Sequence, residues 1–208
     1  MLARIRLRLP DRPGSLGRVA GAIGAVNGDI AAVDVLGSEA GQVLDDVVVA
    51  VRDVVHLERV VTELSAVPGV GVVGLHHPEP AVPGHAELQL VAQVLAGPER
   101  ALRTLVDGAP AGLGVDWAAV LHGEPGGPAL EPVVASAGAP EPLPEVPGPA
   151  RPRALTTRTA AAALVPLGTG PLALLVGREG GLAFHARELW RLEQLGLVVG
   201  AAVRVTAG

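Results

Sequence analysis

The sequence predicts an α+β protein of two domains, each with an antiparallel sheet, and three observations carry that prediction. From residue 3 to residue 76, runs of alternating polarity and runs of helical period follow in the order strand, helix, strand, strand, helix, strand. A Pro-rich break, "HHPEPAVPGH" from His76 to His85, then ends all periodicity. Closely spaced prolines favour extended backbone and remove amide donors, so the break reads as an interdomain linker. Beyond it the order is helix, several strands and a closing helix.

In "ARIRLRL" the apolar Ile5, Leu7 and Leu9 alternate with Arg4, Arg6 and Arg8, the pattern of a strand with one buried and one wet face. Leu16, Val19, Ala20, Ile23 and Val26 recur at spacings of three and four, one face of a helix. After "NGD" come the strand "IAAVDVLG", a turn at Gly41 and the strand "VLDDVVVAV". Leu57, Val60, Val61 and Leu64 mark a second helix, stopped by Pro68 and Gly69, and "VGVVGLH" is the closing strand. This order is the ferredoxin-like βαββαβ arrangement, with both helices on one face of the sheet.

In the second half, "AELQLVAQVLAG" and "PERALRTLVDGAPAGL" read as one broken helix or two. "VDWAAVLH" and "LEPVVASAG" pair through the turn "GEPGGP", and Ala162 to Val176 forms a hairpin of buried strands around Gly168 and Gly170. From Phe184 to about Val203 an apolar pattern makes a terminal helix. The Pro-rich run from Gly138 to Arg153 is a loop within this half or a disordered excursion. The predicted domains are thus residues 1–77 and 86–208, joined by a linker at 78–85, with a Pro-rich loop at 138–153.

Composition narrows the function classes. The 208 residues are 49% hydrophobic and contain no Cys, which removes disulfides, thiolate metal sites and cysteine nucleophiles. Every basic residue is Arg and the only Asn is Asn27, the mark of a GC-rich, bacterial genome. A formal net charge of −5 argues against nucleic acid, which wants a basic patch. The Arg4, Arg6, Arg8 row lies in a domain without Phe, Trp or Tyr, so it lacks the stacking residues of an RNA-binding sheet. Cross-strand pairing with Asp45 and Asp46 on a solvated face accounts for it instead. No secretory signal and no membrane span is read, and the expected location is the cytoplasm.

The corner "LPDRPGSLGRV" is where the first strand hands over to the first helix. Pro13 suits the first helical turn, where a missing amide costs nothing, and Gly14 lets the backbone approach a partner closely. The amides left unpaired at a helix start, with the helix dipole, receive carboxylates. At the far end, "NGDI" offers Asn27, which either ends the helix in a left-handed conformation or turns its amide to a ligand. Gly28 meets the need for a turn by itself, which leaves Asn27 available to a ligand.

The element order, "DRPGSLGRVAGAIGAVNGDI" and "VPGVGVVGL" together resemble the ACT domain, a small regulatory module, over roughly residues 3–77. The resemblance implies an amino-acid effector bound between two such domains, hence a homodimer. It marks Asp11, Pro13, Gly14, Ser15, Leu16, Asn27 and Ile30 as effector-binding residues. Five of them also have an ordinary structural reading. Asp11 suits a helix N-cap or turn, Pro13 and Gly14 any tight strand-to-helix corner, Leu16 the core and Asn27 a helix end.

The second half is similar to the GAF domain over roughly residues 86–204, on "GVDWAAVLH", "VVASAG" and "LLVGREGGLAFHARELWRLEQLG". Where that family builds the walls of a ligand pocket, this chain has only the Pro-rich run, so a full pocket is not expected. His76 and His77 point opposite ways on an extended chain and make a poor metal pair. His185 and Glu188 lie one helical turn apart without a third ligand and read as surface residues. Trp117 and Trp190 read as core rather than as a cavity lining. No nucleophile elbow, P-loop, dinucleotide or metal motif is present, and no cofactor is implied. The reading is a non-catalytic amino-acid sensor. An interaction module with filled pockets is the alternative.

Overall fold

The computed structural model describes residues 1–76, 86–124, 126–149, 151–156, 160–179 and 183–206. The linker at 78–85 lies outside them, as does His77. The chain divides into two compact units, Met1–Pro83 and Gly84–Gly208, and contains two antiparallel sheets, the α+β class that the sequence predicts.

The first unit runs β1 (Leu2–Pro10), α1 (Ser15–Ala25), β2 (Asp29–Glu39), β3 (Gln42–Ala50), α2 (Val54–Ala66) and β4 (Gly71–His76). Its sheet order is β2-β3-β1-β4, every neighbouring pair antiparallel. Ala3, Ile5, Leu7 and Leu9 of β1 and Val47 and Val49 of β3 form one core with Val19 and Ile23 of α1 and Leu57, Val60 and Leu64 of α2. Both helices therefore cover the same face. Ala40 and Gly41 both take positive φ, 52° and 76°, the two-residue hairpin turn whose twist suits flanking strands.

The opposite face is drier than the alternation suggests. Arg6 lies opposite Asp46 in the β1–β3 register and holds it with two hydrogen bonds, Nε to Oδ1 at 2.7 Å and Nη2 to Oδ2 at 2.8 Å. Both residues are buried, at 3% and 5% exposure, so this pairing is not on a solvated face. Asp45 corrects the expectation further, because successive strand residues alternate and only one of the two acids can face the arginines. Asp45 pairs with Leu7 in register and turns to the helix-covered side.

α2 is capped by Asp53, whose carboxylate accepts from the His56 amide at 2.7 Å. The buried His56 ring accepts from the Arg52 amide through Nδ1 at 3.1 Å, which leaves Nε2 to donate to the Val26 carbonyl at 2.8 Å. The start of α2 is thereby tied to the end of α1.

The second unit runs α3 (Ala86–Ala96), a 3-10 turn (Pro98–Arg100), α4 (Ala101–Leu113), β5 (Trp117–His122), β6 (Glu131–Ala135), β7 (Arg153–Thr156), β8 (Ala160–Pro166), β9 (Leu172–Glu179) and α5 (Ala186–Thr206). Its antiparallel sheet has the order β6-β5-β9-β8-β7. One face packs Ala118, Val120, Ala163, Val165, Leu174 and Val176 against Leu105, Val106, Leu192 and Val199 of the helices. The other face, with Trp117, Leu121, Leu164 and Leu175, is covered by Val146, Leu143 and Ala139. The Pro-rich run is thus a packed loop, pinned where Leu130 donates to the Val146 carbonyl at 3.1 Å. Its last residue, Arg153, opens β7, a strand of four residues that the sequence reading missed because it ended the Pro-rich run at Arg153 and read no strand beyond it.

Trp117 is 1% exposed and lies opposite Gly177 in register, where an added Cβ would stand 2.1 Å from the indole ring. Gly177→Ala is expected to destabilise the protein by about 2–3 kcal/mol, since the ring has no room to retreat. Urea denaturation of the variant beside the parent protein checks it. Trp190, expected in the core, is 59% exposed, because α5 turns Leu192, Leu195 and Val199 to the sheet instead.

Candidate functional site

Asp11 to Leu16 form one continuous corner between β1 and α1. Arg12 donates its amide to the Pro10 carbonyl at 2.9 Å and Ser15 to the Arg12 carbonyl at 3.2 Å, so the chain turns tightly before the helix begins. Gly14 is the N-cap at φ 85°, in the left-handed region where a side chain is strained. Pro13 therefore stands just outside the helix, not in its first turn. No side chain caps α1, and its first turn carries no acid.

Three amides at this corner donate to nothing among the described residues, those of Gly14, Leu16 and Gly17. The amide of Ser15, which the resemblance marks as an effector-binding residue, is already taken by the Arg12 carbonyl. A side chain at Gly14 or Gly17 would meet no heavy atom within 4 Å beyond the adjoining chain, so the outer surface of the corner is uncrowded at those two positions. Ser15 is buried, its hydroxyl accepting from Arg18 Nη2 at 3.3 Å, while Leu16 is 38% exposed and so not a core residue. Asp11 does not cap the helix. Its amide donates to the Gly41 carbonyl at 2.9 Å and its carboxylate accepts from the Ser38 hydroxyl.

Asn27 and Ile30 lie elsewhere. Asn27 takes φ 61° and its amide donates to the Gly24 carbonyl at 2.9 Å, while the Gly28 amide donates to Ile23 at 2.9 Å. That pair of bonds is the Schellman closure of a helix end. Asn27 itself, not Gly28, thus supplies the left-handed residue, which removes the argument that a helix end would not need it. Gly28 is small for another reason: a Cβ there would stand 2.8 Å from Ile23 Cγ2. Ile30 is half-buried against the core.

The 11 residues of α1 span about 16 Å. The charged groups of a free amino acid are roughly 3 Å apart. Within one protomer, then, the structure brings Asp11, Pro13, Gly14, Ser15 and Leu16 together and leaves Asn27 and Ile30 out of reach.

Sequence reasoning also missed a residue. Asp45 is 2% exposed and, among the described residues, its Oδ1 has no hydrogen-bond partner. Burial, with the charges of Asp46, Asp11 and Asp34, holds its carboxyl above the usual carboxylate range. Between the ordinary carboxylate pKa and the raised one, the folded state therefore holds a proton that the unfolded chain releases. The stability this contributes is full below the ordinary carboxylate pKa and is lost as pH rises through the raised one. The signal was present in "VLDDVVVAV", where Asp45 stands in phase with Val43, Val47 and Val49.

In the second unit, Glu188 is 8% exposed rather than a surface residue. Its Oε1 lies 2.7 Å from Arg178 Nη2 and its Oε2 accepts from the His185 amide at 2.9 Å, at the start of α5. Arg178 also donates to the Gly114 carbonyl at 3.0 Å and lies 4.2 Å from the Phe184 ring centre. This cluster locks β9 to α5. Among the described residues no group of three His, Asp or Glu side chains is placed to hold a metal, and no helix is long and apolar enough to cross a membrane.

Residues 1–74 match the family model of the ACT domain. No curated protein matches the chain. Among solved structures, the chain is similar to the GAF domain of an Acinetobacter phosphoenolpyruvate-protein phosphotransferase, at 11% identity, 58% coverage of this chain, 94% of the other and a TM-score of 0.45. The GAF domain of a phosphoenolpyruvate-protein phosphotransferase from Coxiella burnetii gives 12% identity, 60% and 96% coverage and a TM-score of 0.45. That of A. aeolicus nlh2, in an inactive state, gives 13%, 59% and 98%, with a TM-score of 0.42.

Proposed function

We propose, from the ACT domain matched over residues 1–74, that this chain is a non-catalytic regulatory protein of the bacterial cytoplasm that binds a free amino acid between two copies of that domain. ACT domains are regulatory, ligand-sensing modules. The observation that carries the reading is the start of α1, where the amides of Gly14, Leu16 and Gly17 donate to nothing among the described residues. Such a corner suits a carboxylate, because the amides and the helix dipole act together. Asn27 reaches the same ligand only from a second copy, which is why the reading includes a homodimer.

Thermal shift against the twenty amino acids tests it. An effector at a hundredfold above its dissociation constant is expected to add about 2.7 kcal/mol of stability. Asn27→Gly keeps the left-handed helix end while removing the side-chain amide, and is expected to weaken that response without lowering basal stability. No response to any amino acid from a protein shown to be dimeric defeats the sensing role and leaves the interaction module.

A further inference from the structure

A helix that buries one apolar face against a sheet is ordinarily polar on the other. In the second unit α3 and α5 are not. They turn Leu90 and Val94, and Leu192, Leu195 and Val199, into the core. On their outer sides Leu88, Leu95, Trp190 and Leu197 each leave half or more of their surface exposed, and Val198 joins them. The outer row of α3 is Leu88, Ala92 and Leu95, and that of α5 is Trp190, Gln194, Leu197 and Ala201. Both rows step by four and three in turn, the spacing of a seam between coiled helices.

The rows lie side by side. Arg191 and Glu87 join the helix starts at 2.7 Å, and at the far ends Pro98 and Val203 line one hollow, so the two helices run parallel. The large side chains present on the order of 500 Å² of apolar surface, near the top of the range for the largest patch on a monomer. With Ala92, Gln194 and Ala201 among them, the face approaches the roughly 800 Å² per partner of a stable complex.

Charge and shape say what covers it. No residue of either row is charged, and the ion pair at their head is closed within the chain, so nothing here selects a charged partner. A neutral face meets its own copy without repulsion, although the chain carries a net charge of −5. The α5 row also runs from its largest side chain, Trp190, to its smallest, Ala201. Turned end for end about a two-fold axis, it sets the indole of one copy over the alanine of the other, and such a contact closes after two chains. The α3 row is unchanged by the same reversal, with Ala92 at its centre and a leucine at either end.

We infer that the outer face of α3 and α5 holds a second copy of this chain, with the two helix pairs antiparallel across the contact. The inference is independent of the amino-acid reading and places a copy-to-copy contact in the second unit.

Disulfide trapping in the full chain tests it, because the chain has no cysteine of its own. Under mild oxidation Ala92→Cys is expected to link to its own copy about tenfold faster or more than Gln93→Cys, which is exposed but off the row, since contact raises the effective concentration far above that of a random encounter. A mixture of Trp190→Cys and Ala201→Cys is expected to form the mixed disulfide in preference to either self-linked one. Adding Leu197→Glu is expected to slow both links to the rate of Gln93→Cys. Row cysteines that all link no faster than Gln93→Cys overturn the contact, whether light scattering then finds one chain or a dimer held by the first domain. Rapid linking of Leu88→Cys with Trp190→Cys in place of that mixed disulfide sets the copies parallel and overturns the reversed arrangement.

Discussion

Replacing Glu188 with alanine is expected to cost about 3–5 kcal/mol, the range for stripping one partner from a buried ion pair. Arg178 is 2% exposed and Glu188 is its carboxylate. Without it the guanidinium keeps the Gly114 carbonyl and the face of Phe184, neither of which neutralises a full charge in a dry site. The same change removes the oxygen that receives the His185 amide ahead of α5. Glu188→Gln separates the two roles, because an amide oxygen still accepts that hydrogen bond while carrying no charge. Its loss in urea denaturation is expected to fall between the parent and Glu188→Ala. Equal losses for the two variants would assign the whole effect to the charge.

Asp46→Ala is the corresponding experiment in the first domain, with an expected loss of about 3 kcal/mol. The bidentate geometry with Arg6 is strong and the site is covered. Asp34 lies opposite Asp46 in the β2–β3 register and keeps an acid on that face, which sets the expectation at the low end. The double variant Arg6→Met with Asp46→Leu is expected to recover most of the loss, since well-packed apolar residues of similar volume replace buried pairs at little cost. Chemical denaturation of the three variants checks this, and a double variant as unstable as Asp46→Ala would refute the pairing account.

The two buried pairs also show where sequence reading stops. Arg6 and Asp46 sit in alternating strands, and their facing was predictable from period-2 alternation. Their dryness was not, because exposure of a sheet face depends on what surrounds it. Glu188 opens a helical run and looked like one more polar residue on a wet face, since its partner Arg178 comes from a strand and carries no local mark. Asp45 was legible in principle as an acid at an apolar phase of its strand, but pairing it with the arginine row gave it the wrong side of the sheet.

Local chemistry by itself determined the element order of the first domain, because alternation, helical spacing and Pro-Gly stops act between residues a few positions apart. It likewise marked the hairpin at Gly41 and the corner at Gly14, where the backbone needs a residue without a Cβ. Only the tertiary structure decided that Asn27 rather than Gly28 takes the left-handed turn, since Gly28 is held small by Ile23 and Val49 packed against it. It alone also decided that the Pro-rich run covers the second sheet, and that Asp45 lies buried on the helix-covered face of the first. Burial and the loss of water are properties of surfaces brought together from distant parts of the chain, and they set the energies of charged groups that a linear pattern can only locate.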